Sequence, residues 1–303
     1  MSTERIIKAV SLPVVEVSIE RPAVYVVATP IGNLGDLSAR GVATLAAVDL
    51  ILCEDTRHSR RLLDHFGIIT PVSPMHAHNE SQVSVELLAR LRAGSQACAV
   101  ISDAGTPLIS DPGYVFVCAA NQAGIPVHVV PGACALTAAL SIAGLPTTRF
   151  AFEGFLPNQT SARAARLDAL AGDPRTLVFY EAPHRIVACL EAMRSAFGPR
   201  REAVVARELT KRFESIYRGT LAELCVGLAS DADACRGEIV IVVAGNAAEQ
   251  GSDDAELERL LSIVLAETDR RTAVRIVTAL SGRARNQVYQ ASLRVTAAAA
   301  EES

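Results

Sequence analysis

The chain has 303 residues, half of them hydrophobic, and a formal net charge of −4 at pH 7. This composition excludes a disordered chain, and the acidic balance disfavours a simple cationic nucleic-acid binder. The length predicts two domains with room for a small appendage. The charge is uneven, because residues 149–218 contain twelve Lys and Arg against eight Asp and Glu. This basic middle region could face phosphates, although a solvated surface explains it equally well.

Signals for membrane insertion, export and metal binding are weak. The longest stretch without Asp, Glu, Lys or Arg, residues 112–148, is divided by Gly and Pro into pieces of strand or helix length, so we expect no transmembrane segment. Residues 1–22 lack a cleavage site and predict a leader without a clear role in the fold. The seven cysteines form no Cys-x-x-Cys pair, which favours reduced thiols over disulfides or zinc. No metal site is expected.

Strand-like and helix-like segments alternate through the first half of the chain. This order predicts a first α/β domain, residues 23–148, with a mostly parallel sheet covered by helices on both faces. The predicted strands are Ala23–Ala28, Asp49–Cys53, Ala97–Ile101, Pro126–Val130 and a weaker Thr70–Ser73. The predicted helices are Ser38–Ala47, Thr56–Phe66, Glu80–Ala93, Tyr114–Ala123 and Ala133–Ala143.

The second half predicts another α/β domain, residues 149–246. Two of its strands are separated by only a short gap, which indicates an antiparallel or mixed sheet. The predicted strands are Phe150–Glu153, Arg175–Glu181, Ala203–Glu208, Glu214–Gly219 and Glu238–Ala244, and the helices are Ser161–Leu170, Arg185–Phe197 and Leu221–Ala229. Residues 247–303 are predicted to hold a linker and a small helical unit. The linker covers Ala244–Asp254. Three helices (Asp254–Glu267, Thr272–Leu280, Arg285–Leu293) follow, which are too short for a core of their own and predict a small helix-turn-helix-like unit.

Polar, Gly-rich and Pro-rich loops follow four of the predicted first-half strands. Residues 102–113 (Ser-Asp-Ala-Gly-Thr-Pro-Leu-Ile-Ser-Asp-Pro-Gly) place carboxylates where open α/β sheets bind ligands. Residues 29–36 contain a Gly-x-x-Gly pattern that a tight turn would also explain. Residues 54–58 (Glu-Asp-Thr-Arg-His) combine a helix cap with charges that capping does not require. Residues 131–137 lead into a helix of small residues, whose first N–H groups could meet a ligand oxygen.

Charged residues also end two strands of the second half, at residues 179–185 and 207–211. If the two domains face each other, these residues form the opposite wall of a cleft, which is a common small-molecule site. A further polar cluster contains His76 and His78. This spacing could ligate a metal, but helix capping and surface polarity explain it better.

Six sequence blocks, in this order, identify a known family. They are Thr29-Pro30-Ile31-Gly32-Asn33-Leu34, Glu54-Asp55-Thr56-Arg57, His78-Asn79-Glu80, Ser102-Asp103-Ala104-Gly105-Thr106-Pro107, Phe179-Tyr180-Glu181 and Arg207-Glu208-Leu209-Thr210-Lys211. From about Val24 to Tyr289 the chain resembles the ribosomal RNA small subunit methyltransferase I family of the tetrapyrrole methylase superfamily. The resemblance implies two α/β domains with a cleft between them and a small C-terminal helical unit. It also implies a homodimeric cytoplasmic enzyme that uses S-adenosylmethionine (SAM) to methylate the 2′-hydroxyl of a decoding-centre cytidine in 16S rRNA of the small ribosomal subunit.

The resemblance also suggests candidate site residues. Those expected around SAM are Pro30, Ser102, Asp103, Gly105, Thr106, Pro131, Gly132, Ala133, Glu208 and Leu209. Candidates for a catalytic base or for orienting the ribose are Glu54, Asp55, Asp103 and Glu181. Candidates for phosphate contacts are Arg57, Arg60, Arg185, Arg207, Lys211, Arg283 and Arg285, the last two in a turn that is Lys-rich in many members of the family.

Two other functions remain open from the sequence. A methyltransferase for a tetrapyrrole or another small substrate could use the same fold, but such enzymes usually have a Gly-x-Gly-Pro-Gly first loop, which residues 29–34 lack. A non-catalytic nucleotide-binding or RNA-binding protein is the second alternative, and the acidic net charge disfavours it.

Overall fold

The computed structural model describes residues 15–76, 79–230 and 235–301. His78 and most of the predicted leader lie outside these ranges. Within the leader, the described Arg21 contacts the first sheet, because its Nε lies 2.9 Å from Oδ2 of Asp49. No described helix is both long enough and apolar enough to cross a bilayer.

The first sheet contains five parallel strands in the order β3-β2-β4-β1-β5. The strands are β1 (Ala23–Val27), β2 (Leu50–Cys53), β3 (Val72–Pro74), β4 (Ala97–Val100) and β5 (Val127–Val130). Five helices alternate with them: α1 (Ala39–Ala47), α2 (Thr56–His65), α3 (Glu80–Gly94), α4 (Tyr114–Gln122) and α5 (Ala135–Ala143). The parallel sheet and every predicted element of this half are confirmed, with ends that differ by a few residues.

Alternating side chains of the first sheet build two separate cores. Tyr25 faces Leu45 and Leu63 of α1 and α2, whereas the neighbouring Val24 packs with the residues of α3 and α4, Phe116 among them. Successive residues of a strand point to opposite faces, so helices on both sides are needed to bury these apolar strands.

The second sheet is mixed, which is one of the two arrangements predicted, in the order β6-β7-β10-β8-β9. Its strands are β6 (Phe150–Phe155), β7 (Thr176–Glu181), β8 (Glu202–Arg207), β9 (Ser215–Thr220) and β10 (Ile239–Val243), and only the β6–β7 pair is parallel. Helices α6 (Thr160–Leu170), α7 (Ile186–Phe197) and α8 (Leu221–Ala229) cover one face of this sheet around Phe179 and Ile241.

Helix α5 joins the two sheets. It follows β5 of the first sheet, yet Leu136 and Leu140 pack against Val178 and Val242 on the open face of the second sheet. Ile31, from the loop after β1, belongs to the same core. This packing brings the carboxyl ends of the first-sheet strands close to the ends of β7 and β10.

The C-terminal helices correct two predictions. Helix α9 (Ala247–Glu267) begins inside the predicted linker, which leaves only a short connection after β10. It packs with α10 (Arg270–Ser281) and α11 (Arg285–Glu301) around Leu261, Val277 and Val288. The three helices do share a core, because Leu257, Leu261, Val274, Val277, Val288 and Ala291 pack together across them.

Candidate active site

A cavity of about 360 Å³ lies between the two sheets. One wall is the loop after β4, and the other is formed by the ends of β7, β8 and β10. Its lining residues include Ile31, Gly105, Thr106, Ser110, Asp111, Cys134, Ala135, Phe155, Tyr180, Glu181, Leu209, Gly237 and Glu238. Gly105, Thr106, Glu181 and Leu209 of the predicted site are among them.

The loop after β4 is held in one conformation by internal hydrogen bonds. Thr29 anchors it, because its backbone N–H and its hydroxyl both donate to the carbonyl of Gly105, at 2.8 and 3.3 Å. Buried Ser102 does not line the cavity, and its hydroxyl donates to the same carbonyl at 3.1 Å. Gly105, Leu108 and Ser110 all have positive φ values. This conformation is unfavourable for Leu108 and Ser110, which carry side chains, so contacts with the surrounding residues must stabilise the loop.

The turn after β5 is hydrogen-bonded to the loop after β4. The hydroxyl of Thr106 donates to the carbonyl of Ala133 at 3.0 Å. A Cβ on Gly132 would lie 3.0 Å from the Cβ of Ala28, so the turn is packed closely against β1. Pro131, Gly132 and Ala133 do not line the cavity themselves. The next two residues, Cys134 and Ala135, take that place at the start of α5.

The opposite wall contains a buried acid in an ion pair. Glu181 is almost wholly inaccessible to solvent and lies 3.2 Å from Nε of Arg185. Its Oε1 accepts the N–H of Ala182, whereas Oε2 is buried with no hydrogen-bond partner in the structure. Next to it, the hydroxyl of Tyr180 accepts the N–H of Leu136 at 3.2 Å, and burial raises the pKa of Tyr180.

Glu208 forms an ion-pair network with Lys211 and Glu238 at the cavity rim. Nζ of Lys211 lies 2.9 Å from Oε1 of Glu208 and 3.0 Å from Oε2 of Glu238, and Oε1 of Glu208 also accepts the N–H of Glu238. Partial burial raises the pKa of Glu208, but the bonds from Lys211 and the Glu238 backbone outweigh it and keep the value below normal. A Cβ on Gly237 would lie 2.3 Å from Oε1 of Glu208.

Asp111 lines the cavity but is not among the candidate site residues predicted from the sequence. It is half-buried, and desolvation together with the negative charges of Glu54 and Asp103 raises its pKa to about 6, although the nearby hydroxyl of Ser102 acts in the opposite direction. Its position in the loop 102–113 was the available signal, since that loop was already predicted to bind a ligand. Burial beside two other carboxylates could not be inferred from spacing.

A second depression, of about 370 Å³, adjoins the cavity and shares Ile31, Ala104 and Glu238 with it; we call it the side groove. Pro30 and Asp103, both predicted to lie near SAM, line the side groove and not the cavity itself. Oδ1 of Asp103 is buried without a hydrogen-bond partner. The basic side chains of the side groove are His58, Arg61 and His65 of α2 and Lys211. Among the described residues, no three His, Cys, Asp or Glu side chains are grouped to hold a metal ion.

The acidic residues after β2 have different positions. Asp55 caps α2, because its Oδ1 accepts the N–H groups of Arg57 and His58 at 2.8 and 3.3 Å, and these bonds lower its pKa. Glu54 is exposed and lines neither depression, but its charge acts on Asp111. Arg57 is 93% exposed, and Arg60 is half-buried, with its guanidinium 3.4 Å from the carbonyl of Thr70.

Arg185 and Arg207, which were predicted to contact phosphates, each donate several hydrogen bonds within the protein. Arg185 pairs with Glu181 and also donates to the carbonyl of Leu156 at 2.8 Å. Arg207 is buried, and donates to the carbonyls of Arg236 and Phe213 at 2.8 and 3.0 Å. Donors that are already satisfied gain little from a phosphate, so these positions disfavour the predicted role.

The C-terminal helical unit has its own basic groove, of about 560 Å³, which we call the arginine groove. It is lined by Arg270, Arg271, Val274, Arg285, Asn286 and Tyr289. Arg285 was predicted from the sequence, whereas Arg270 and Arg271 are separated from it by fourteen or more positions along the chain. Arg283 is half-buried beside the groove and does not line it.

Comparisons with known proteins agree with this architecture. Residues 23–225 match the family model Tetrapyrrole (Corrin/Porphyrin) Methylases, and residues 251–295 match the RsmI C-terminal HTH domain. The chain is 50% identical over 272 residues to "Ribosomal RNA small subunit methyltransferase I" of Pseudomonas aeruginosa, covering 89% of this chain and 96% of that protein. The protein of the same name from Xylella fastidiosa strain Temecula1 is 49% identical, with coverage of 88% and 97%.

A solved structure shows the same fold at low sequence identity. Uroporphyrin-III-C-methyltransferase from Thermus thermophilus superposes with a TM-score of 0.53 at 23% identity, covering 77% of this chain and 98% of that one. The two-sheet architecture and the C-terminal helices are thus accounted for together. The chain belongs to the tetrapyrrole methylase superfamily and, within it, to the ribosomal RNA small subunit methyltransferase I family.

Proposed function

We propose that the protein transfers a methyl group from SAM to the 2′-hydroxyl of a cytidine in 16S rRNA. The observation that carries this proposal is the cavity between the sheets, with a basic side groove opening beside it. The volume of the cavity lies within the range of small-molecule sites, roughly 300–1,000 Å³. The relatives that share about half of its residues are named as methyltransferases of ribosomal RNA.

The cavity residues fit SAM as a ligand. Gly105 brings bare backbone to the wall, and a Cβ there would lie 3.1 Å from Cγ2 of Ile31. Oε2 of Glu181 is buried at the wall and lacks a donor, which a hydroxyl or amino group of the cofactor would supply. Apolar surface comes from Ala135 and Leu209. When bound, SAM would supply a methyl group on a positively charged sulfur.

Methyl-group mapping tests the proposal directly. Mass spectrometry of 16S rRNA from a strain lacking the gene should show the loss of one 2′-O-methylcytidine, and the cloned gene should restore it. Purified protein should transfer labelled methyl from SAM to small subunits from that strain. Labelling of tetrapyrrole precursors, with none of the small subunit, would instead support the other substrate class.

Replacing Gly105 by Ala is expected to weaken SAM binding at least about tenfold, measured by calorimetry. The substitution introduces strain at a φ of +86° and pushes Ile31 or the loop carbonyls away from the ligand. Gly124→Ala is the matched control, because its φ is +69° but no atom lies within 4 Å of the added Cβ. Both variants should lose about 1–2 kcal/mol of stability, while only Gly105→Ala should lose affinity. Equal SAM affinity in the two variants would contradict the assignment.

We propose that RNA contacts the side groove and the arginine groove. Arg57 and Arg61 of α2 are exposed near the side groove, and Arg271 and Arg285 are exposed at the arginine groove. Lys211 is partly neutralised by Glu208 and Glu238, so we expect a smaller contribution from it. The grooves concentrate positive charge on an otherwise acidic chain, and this charge favours phosphates.

Replacing both Arg271 and Arg285 by Ala should weaken binding to the small subunit and reduce its salt dependence. Each lost phosphate contact is expected to lower the slope of log K against log salt by about one. SAM affinity should not change, because the arginine groove is separate from the cavity. Arg294→Ala is the control, since Arg294 pairs with Glu258 at 3.0 Å. An unchanged slope in the double variant would exclude the arginine groove as a phosphate contact.

We also propose a homodimer in the cytoplasm. The family resemblance supports both, and the location follows from a ribosomal substrate. Val129, Ile142 and Phe150 are apolar and exposed in the single chain, as residues of an interface would be. Light scattering after size-exclusion chromatography should give twice the chain mass of 32.0 kDa.

A further inference from the structure

Methyl transfer to a ribose hydroxyl requires a group that removes the hydroxyl proton, and four acids line the cavity or its rim. Glu181 is paired with Arg185, and Glu208 and Glu238 are paired with Lys211. An acid held by a cation is a weak proton acceptor, because the cation stabilises its ionised form. Asp111 is the exception: within the described ranges no Lys, Arg or His forms an ion pair with it.

The surroundings of Asp111 increase its affinity for a proton. The negative charges of Glu54 and Asp103 act on it, and the phenol of Tyr180 is close enough to interact electrostatically. Glu181 lines the same cavity, and the nearby hydroxyl of Ser102 acts in the opposite direction by favouring the ionised form of Asp111. Burial, acting together with the two carboxylates, raises the pKa of Asp111 to about 6. A base with a pKa just below the working pH is ionised yet accepts a proton readily.

The backbone holds Asp111 in place at the cavity. It lies between Ser110 and Gly113, both of which have positive φ. Oε1 of the buried Glu80 accepts the N–H groups of Gly113 and Phe116 at 3.0 and 3.1 Å, which fixes the end of the loop. A Cβ on Gly154 of β6 would lie 3.4 Å from Oγ of Ser110, so the loop also approaches the second sheet. A catalytic base needs such fixed positioning.

We propose that the carboxylate of Asp111 accepts the proton of the ribose 2′-hydroxyl during methyl transfer, a role that rests on the function proposed above. The O–H bond breaks as the oxygen attacks the methyl carbon, and the proton passes to the carboxylate. The new O–CH₃ bond forms as the S–CH₃ bond breaks, and that electron pair leaves with sulfur as a neutral thioether. Asp111 then releases its proton to solvent before the next turnover.

Single-turnover methylation of small subunits tests this role between pH 5 and 8. For the unmodified protein the rate should rise with pH and level off above about 6, because only ionised Asp111 accepts a proton. Asp111→Asn should lower the plateau rate by about a hundred- to ten-thousandfold. Its affinity for SAM should remain within about threefold of the unmodified protein. Asp168→Asn, at an exposed acid of α6, is the control and should keep the full rate.

A second variant tests the mechanism while Asp111 is present. Glu54→Gln removes a negative charge that favours protonation of Asp111, so the midpoint of the pH profile should move to lower pH. An Asp111→Asn rate within about threefold of the unmodified rate would overturn the proposal, as would an unmoved midpoint in Glu54→Gln. If Asp111→Asn lost SAM affinity but kept the plateau rate, Asp111 would bind the cofactor, and the proposal would be overturned. If the unmodified protein itself methylates no small subunit, the function proposed above fails instead.

Discussion

Replacing Arg185 by Met is expected to lower the free energy of unfolding by about 3–5 kcal/mol. The substitution leaves the carboxylate of Glu181 buried without its cation, because the side chain of Glu181 has no exposure to solvent. The hydrogen bond from Arg185 to the carbonyl of Leu156 is lost as well. Urea denaturation followed by circular dichroism measures the change.

Arg194→Met is the matched control for this prediction, since Arg194 lies on helix α7, which begins directly after Arg185. Arg194 forms an exposed pair with Glu191 at 2.7 Å, and exposed pairs contribute about 1 kcal/mol or less. The double variant Arg185→Met with Glu181→Gln should recover part of the loss, because no buried charge then remains. A loss below about 1 kcal/mol in Arg185→Met would show that Arg185 has little structural role and would reopen its predicted contact with phosphate.

Gly245→Ala is expected to lower the free energy of unfolding by about 3 kcal/mol or more. The added Cβ would lie 2.0 Å from the carbonyl oxygen of Pro174 and 2.8 Å from that of Arg175. The backbone cannot move away easily, because the N–H of Ala244 donates to Glu202 and that of Asn246 donates to Asp173, at 2.9 and 2.7 Å. Thermal and urea unfolding should both detect the change.

Gly227→Ala provides the control in helix α8. No atom lies within 4 Å of a Cβ at Gly227, and Ala has a higher helix propensity than Gly. This variant should therefore be more stable by about 0.5–1 kcal/mol. If Gly245→Ala were as stable as the unmodified protein, the connection between β10 and α9 would have to follow a different path.

The sequence predicted the elements of both sheets because their signals are local. Continuous apolar strands such as residues 97–101 and 239–243, separated by turn residues, are typical of buried sheets. The same reasoning failed at residues 247–253, where Gly251 and a run of polar residues suggested a linker. Helix α9 nevertheless includes them, and the packing of Leu257 and Leu261 against α10 and α11 stabilises the rest of that helix.

The site was only partly accessible from the sequence. The loop 102–113 was recognised from its composition, but its spacing could not rank Asp103 above Asp111, since both follow the same strand. Their difference comes from burial and from neighbours on other elements. Likewise, the arginine-rich segments of the second half could not be separated into those held inside the protein, such as Arg207, and those left exposed.

The sequence by itself therefore determined the element order, an antiparallel or mixed second sheet and the family, because each is written in local composition or in short motifs. Tertiary structure decided which of those loops share a cavity, since α5 leaves the first sheet and packs on the second. It also decided which acids are paired and which one, Asp111, faces the cavity without a cation. Charge pairing and desolvation depend on residues distant in the chain, so only the folded arrangement defines them.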